Sequence, residues 1–205
     1  MLLALDLDTP HGPARVHLHA AAAEPVAALV LGHGAGGGVG APDLVAVTEV
    51  AVEAGFTVAL VEQPYRVAGR RTSPAAARLD EAWEAVLEHL SEGELAGLPL
   101  VAGGRSSGAR VACRTAQQTG ASAVLCLAFP LHPPGRPEKT RLPELEALDV
   151  PALIVQGESD PFGMPPPGPR REVVRLRGNH GLRSDAPGLR EAVGRWLRRV
   201  ILGAW

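Results

Sequence analysis

Six candidate strands, Ala27 to Leu31, Thr57 to Val61, Leu98 to Ala102, Ala123 to Ala128, Ala152 to Gln156 and Glu172 to Leu176, alternate with stretches of helical periodicity. Parallel neighbours need a crossover helix between them, so this alternation predicts an α/β fold with a mainly parallel sheet. Two further runs, Leu2 to Leu7 and Ala14 to His19, flank Pro10-His11-Gly12-Pro13 and read as an N-terminal antiparallel hairpin. A helix is expected to begin at Ser73-Pro74, a capping residue followed by proline at the first helical position, with Leu79, Trp83, Val86, Leu87 and Leu90 on its packing face. Others are expected over Ala109 to Thr119 and over Leu189 to Val200, the latter packing through Val193, Trp196, Leu197 and Val200. At 205 residues the chain is read as one domain, 1–205, with one well-filled core.

One connection carries chemistry. Gly104-Arg105-Ser106-Ser107-Gly108 lies between the run ending at Ala102 and the helical stretch after it. Glycines two residues either side of Ser106 permit a turn tight enough to hold a hydroxyl above the sheet, the arrangement called a nucleophile elbow. Ser107 lacks glycines at that spacing, so it is assigned a backbone role and Ser106 the hydroxyl. A serine alone could equally cap a helix. An alkoxide needs a base, and the base needs an orienting carboxylate.

On an open sheet that presents serine this way, the acid comes next in the chain and the histidine last. Asp160 follows the run ending at Gln156, in Gly157-Glu158-Ser159-Asp160-Pro161-Phe162-Gly163, and His180 follows the run ending at Leu176, in Arg177-Gly178-Asn179-His180-Gly181. Each falls just past a strand end, where such sites are built. Glu158 is the rival acid; Asp160 is preferred because Pro161 and Gly163 beside it would turn the loop toward the histidine. The bland readings are a turn aspartate and a solvated loop histidine. After the run ending at Leu31, Gly32-His33-Gly34-Ala35-Gly36-Gly37-Gly38 can expose backbone amides, and those of Ala35 and Ser107 are the candidates for an oxyanion hole.

Arg105 could attract an anionic group or be tied up structurally, His33 could pack the glycine loop, and His132 could touch substrate or pack against the lid. All three are kept as pocket possibilities. The proline-rich stretches Pro130 to Pro137 and Pro161 to Pro169 each follow a strand and are read as site-lining loops. The segment from Leu131 to Val150 is too short for a helical cap, so an open site with a minimal loop lid is expected.

Together these blocks resemble the α/β-hydrolase superfamily, and within it the small dienelactone-hydrolase-like branch that shares a domain with subunit three of the NSL histone acetyltransferase complex and testis-expressed protein thirty. The matching residues are Gly32-His33-Gly34-Ala35-Gly36-Gly37, Gly104 to Arg110, Phe129 to Pro137, Gly157 to Gly163 and Gly178-Asn179-His180. The resemblance implies a three-layer hydrolase scaffold with a Ser106-Asp160-His180 triad. One member type carries cysteine as nucleophile, whereas here the position is serine. Substrate does not transfer. The expected reaction is cleavage of a small carboxylic ester through an acyl-enzyme on Ser106.

Two other classes compete. A non-catalytic hydrolase-fold binding protein is one, because fold and function separate readily. The other is a dinucleotide-binding protein using Gly32-x-Gly34-x-x-Gly37 with Glu62 on the ribose, although glycines continue through Gly40 before Pro42 and delay the helix that would cradle a pyrophosphate. A P-loop at Gly103 to Gly108 fails, since Ala109 and Arg110 stand where lysine and a hydroxyl are required.

Composition narrows the partners. Aromatic residues make up only 3% of the chain and the net charge is -2, so neither stacking platforms nor a basic excess for nucleic acid is present. The apolar N-terminus lacks a basic leader and is broken by Asp6 and Asp8, and no apolar stretch is bilayer-length; no signal peptide or membrane association is expected, and the location is read as cytoplasmic. Cys113 and Cys126 are read as inert core thiols and not as a disulfide. His17 and His19 share one strand face without a nearby acid in sequence, and are read as two solvated histidines. No metal or cofactor is expected, and the oligomeric state is left open.

Overall fold

Strands whose residues are apolar at every position need cover on both faces, and the central runs of this chain are of that kind. A computed structural model describes residues 2–204. Its strands are β1 (Leu2–Leu7), β2 (Ala14–His19), β3 (Ala27–Gly32), β4 (Phe56–Glu62), β5 (Leu100–Arg105), β6 (Ala123–Leu127), β7 (Ala152–Gly157) and β8 (Arg171–Leu176). They form one sheet in the order β1-β2-β4-β3-β5-β6-β7-β8. The β1–β2 and β2–β4 pairs are antiparallel and the remaining pairs parallel. In β3, β6 and β7 every residue is buried, whereas β2 alternates buried and half-buried positions and faces one core only.

Helices α1 (Pro42–Glu53), α2 (Pro64–Val67), α3 (Ala76–Glu92), α4 (Ser107–Thr115), α5 (Leu142–Glu146) and α6 (Ala186–Leu202) complete the fold. On one face α3 and α4 pack Trp83, Val86, Leu90 and Val111 against Val30, Val124 and Ile154. On the other, α1 and α6 bring Leu44, Val47, Val193 and Trp196 onto Leu29, Leu125 and Leu153. The result is a three-layer α/β fold. Between β6 and β7 the only helix is the five-residue α5, so the cover over the strand ends is minimal.

Several boundaries differ from the sequence expectation. Ser73-Pro74 does not open α3, which starts at Ala76 with Ala75 as an uncapped first residue. Ser73 stands two residues before the cap position, which Ala75 occupies, and its hydroxyl donates to the Pro74 carbonyl. Helix α4 spans Ser107–Thr115 and not Ala109 to Thr119, because the chain turns after Thr115 through Gly120 at φ +66°. Helix α6 extends further at both ends, from an Asp185 side chain that accepts from the Gly188 amide to a left-handed Gly203.

Strand β5 starts later than Leu98 and runs on through Gly103 and Gly104. These glycines serve contact as well as turning. A Cβ on Gly104 would stand 2.6 Å from the Gly32 oxygen, and one on Gly108 would also collide with that carbonyl. The elbow helix is thereby seated directly on the β3 backbone. Gly108→Ala should destabilise the fold by about 1–3 kcal/mol through overpacking, and urea unfolding monitored by circular dichroism measures this against the wild type.

Candidate active site

Strand β5 ends at Arg105, and Ser106 turns the chain into α4 with φ 52° and ψ -110°. A non-glycine residue in this region costs roughly 1–3 kcal/mol and persists only where its surroundings hold it. The hold comes partly from β6, whose Leu127 carbonyl accepts the Ser106 amide at 2.9 Å. The turn lifts Oγ to 2.9 Å from His180 Nε2. On the other side of the ring, Nδ1 lies 2.8 Å from Asp160 Oδ2.

Asp160 has a fully buried side chain. Its Oδ2 also accepts from Gln156 Nε2 at 2.8 Å, and its Oδ1 accepts the Phe162 amide at 2.9 Å. Because the carboxylate accepts at Nδ1, the imidazole carries its proton there and leaves Nε2 free to accept from serine. Phe162 covers the ring, with centroids 4.3 Å apart. The acid and histidine loops touch backbone to backbone, since a Cβ on Gly157 would stand 2.7 Å from the Gly178 oxygen. Glu158, the rival acid, is exposed and takes no part in this chain of contacts.

The glycine loop brings Ala35 to the cavity wall beside Ser106. Tyr65 Oη donates to the Ala35 carbonyl at 2.8 Å, and the Gly37 amide closes a turn onto the Gly34 oxygen at 3.0 Å. Ser107 is the first residue of α4, so its amide has no partner within the helix. The cavity above Ser106 measures about 650 Å³, with Gly36, Gly37, Gly38 and Gly40 forming one wall and Phe162, His180 and Arg183 the other.

Of the other pocket candidates Arg105 lines this cavity, whereas His33 and His132 do not. His33 is buried under the loop: Nε2 accepts the Gln63 amide at 3.1 Å and Nδ1 lies 2.8 Å from the Gly34 oxygen. These partners require a neutral ring, and burial indeed holds its pKa below the ordinary 6.5. The unfolded chain then binds this proton first as pH falls. The stabilisation is complete above about pH 6.5 and is lost as pH drops toward the lower folded value. Melting temperature should fall over that interval in the wild type and fall less in His33→Asn, as differential scanning fluorimetry would record.

His132 braces the acid loop from behind. Its amide donates to the Phe162 oxygen at 3.0 Å, and its ring fills the space of the absent Gly163 side chain. Arg105 points into a network: Nε donates to Asp43 Oδ2 at 2.8 Å and Nη2 to the His180 carbonyl at 2.9 Å. Burial raises the Asp43 pKa while the Arg105 guanidinium opposes that shift.

Asp43, Gln156, Tyr65, Phe162 and Arg183 were not singled out by sequence. Only Asp43 carried a local signal, following Pro42 at a helix start. Glu62, the ribose candidate, instead meets His17 Nε2 at 3.2 Å. That carboxylate arrives from β4, a neighbour invisible along the chain. Helix α1 begins five residues after Gly37, and Gly32 packs on α4, so the glycine loop lacks the geometry of a pyrophosphate cradle. The sulfurs of Cys113 and Cys126, both buried free thiols, lie 3.4 Å apart. The Cys126 thiol and burial push the Cys113 pKa well above its usual range.

Solved structures share this architecture. An α/β serine hydrolase without lid from Xanthomonas campestris superposes with a TM-score of 0.79 at 21% identity, covering 97% of this chain and 94% of that one. Est1E from Butyrivibrio proteoclasticus gives 0.79 at 16% identity over 97% and 99% of the two chains. A dienelactone hydrolase from Anabaena variabilis gives 0.75 at 16% identity over 99% and 97%. At these identities the likeness concerns the fold. No curated protein sequence matches the chain significantly. The family model described as "Alpha/beta hydrolase domain" matches residues 25–167, a span that includes Ser106 and Asp160 and ends before His180. The chain belongs to the α/β-hydrolase family.

Proposed function

We propose that the protein is a serine hydrolase that cleaves a small carboxylic ester through an acyl-enzyme on Ser106. The observation that carries this reading is the continuous contact from Ser106 Oγ through His180 to Asp160, 2.9 Å and 2.8 Å long. Its esterase and serine hydrolase structural neighbours lend support.

In this mechanism Ser106 Oγ attacks the ester carbonyl while His180 Nε2 takes the hydroxyl proton. Asp160 holds the ring's tautomer and balances the imidazolium that forms. The carbonyl oxygen, now anionic, accepts from the amides of Ala35 and Ser107. Collapse expels the alcohol, which leaves with the proton from His180. Water then enters, gives a proton to His180 and attacks the acyl carbon, and Ser106 recovers its proton as the acid departs. The glycine wall of the cavity leaves room for water at this second step.

No helix among the described residues is long and apolar enough to cross a membrane. We place the protein in the cytoplasm, a setting supported by two adjacent free thiols in the core. A panel of chromogenic esters of increasing acyl length tests the activity directly. Turnover by wild type and its loss in Ser106→Ala is the expected result. A wild type that neither hydrolyses the panel nor reacts with a fluorophosphonate would favour a binding protein on a hydrolase scaffold.

A further inference from the structure

His180 hangs from a loop with glycine on both sides, Gly178 at φ +111° and Gly181. Such a segment has backbone freedom that a hydrogen bond to the ring alone does not remove. Asp160 fixes the ring at Nδ1, yet the main chain carrying the ring needs its own anchor if Nε2 is to stay on the serine. The loop is tied beside the histidine by Ser159 N–H to the Gly178 oxygen and Leu182 N–H to the Asn179 oxygen, and Arg105 adds the bond at the His180 carbonyl itself. Its Nη2 donates to the His180 carbonyl at 2.9 Å while its Nε is held by Asp43 Oδ2 at 2.8 Å.

The anchor is itself anchored. Asp43 has only 1% of its side chain exposed, and its second oxygen accepts the Leu44 amide at 3.0 Å. Arg105 also lies across the bare face of Gly34, where a Cβ would stand 2.9 Å from Nη1. One guanidinium thus meets the start of α1, the glycine loop after β3 and the histidine loop after β8. Because Arg105 precedes Ser106 in the chain, the base's anchor is covalently adjacent to the nucleophile.

We propose that Arg105, held by Asp43, is a positioning residue that fixes the main chain of His180 and so aligns Nε2 with Ser106. The inference rests on the serine hydrolase reading above. It assigns Nε and Nη2 of the arginine to protein partners.

The test measures kcat and KM for one neutral chromogenic ester, with fluorophosphonate labelling rates, in wild type, Arg105→Met, Arg105→Lys and Asp43→Asn. A displaced base should lower kcat by about 10- to 100-fold in Arg105→Met, since a shift near 1 Å has effects of that order. KM should stay within about twofold, because a change confined to the reacting geometry spares ground-state binding. Arg105→Lys, which keeps one cationic donor but not the fork, should recover part of the loss. Asp43→Asn should reduce kcat less than Arg105→Met. Where Arg105→Met leaves the buried carboxylate unpaired and the chain unfolds, the double variant Asp43→Asn/Arg105→Met removes that charge and keeps the measurement available. The folded double variant should show the same loss of about 10- to 100-fold in kcat relative to the wild type. Wild-type kcat in either arginine-to-methionine variant, or a loss expressed in KM alone, overturns the positioning role while leaving the hydrolase reading intact. Absent turnover and labelling in the wild type overturns both.

Discussion

Replacing Ser106 by alanine should abolish fluorophosphonate labelling and lower ester turnover by on the order of 10⁴-fold or more, the loss expected when a hydrolase nucleophile is removed. The size follows from what the hydroxyl does. In the proposed mechanism it supplies the bond that divides one difficult displacement into two easier ones, and among the described residues no other hydroxyl meets His180 Nε2. Ser107 does not substitute, since it begins the helix on the far side of the turn. The variant should fold at least as well as the wild type, because alanine removes no core contact. Circular dichroism beside the labelling assay separates lost chemistry from lost structure. Equal labelling of wild type and Ser106→Ala would sink the assignment of the nucleophile.

Asp160→Asn should cost about 10³- to 10⁴-fold in kcat, the range associated with a triad carboxylate replaced by its amide. Three donors converge on this carboxylate: Gln156 Nε2 and His180 Nδ1 at Oδ2, and the Phe162 amide at Oδ1. An amide cannot satisfy all three. With its nitrogen toward His180 it meets two donors and drives the imidazole to the wrong tautomer; with its nitrogen toward Phe162 it opposes a backbone N–H. Neither orientation supplies the charge that balances an imidazolium. Glu158→Gln, at an exposed site, serves as the control and should retain wild-type kcat. Loss in that variant equal to the loss in Asp160→Asn would reverse the choice of acid.

What could be read along the chain, and what could not, divides by the range of the interactions. The strand–helix alternation identified the fold because periodicity is local and each central strand is apolar throughout. Asp160 and His180 were legible because strand ends deliver them to one edge of the sheet. The function of Gly104 was only half legible: its spacing from Ser106 suggested a turn, but its collision distance to Gly32 depends on a strand 72 positions earlier in the chain. Asp43 meeting Arg105, Tyr65 meeting Ala35 and Glu62 meeting His17 are pairings across the sheet for which one sequence holds no signal. The expected cap at Ser73 failed because the helix starts later, at Ala76, which makes Ala75 the cap residue and leaves Ser73 two residues outside it.

The glycine wall of the cavity has a consequence for how selectivity can be acquired. At Gly36 and Gly40 a Cβ would meet nothing within 4 Å, and neither residue occupies the left-handed region. Side chains can therefore be added there without displacing any neighbour. Ser106, Asp160 and His180 are carried by β5, β7 and β8, so of the proposed catalytic groups only the Ala35 amide shares this loop, and decoration at Gly40 lies five residues from it. A fold arranged in this way can diversify by decoration of one rim while the Ser106, His180 and Asp160 side chains keep their contacts.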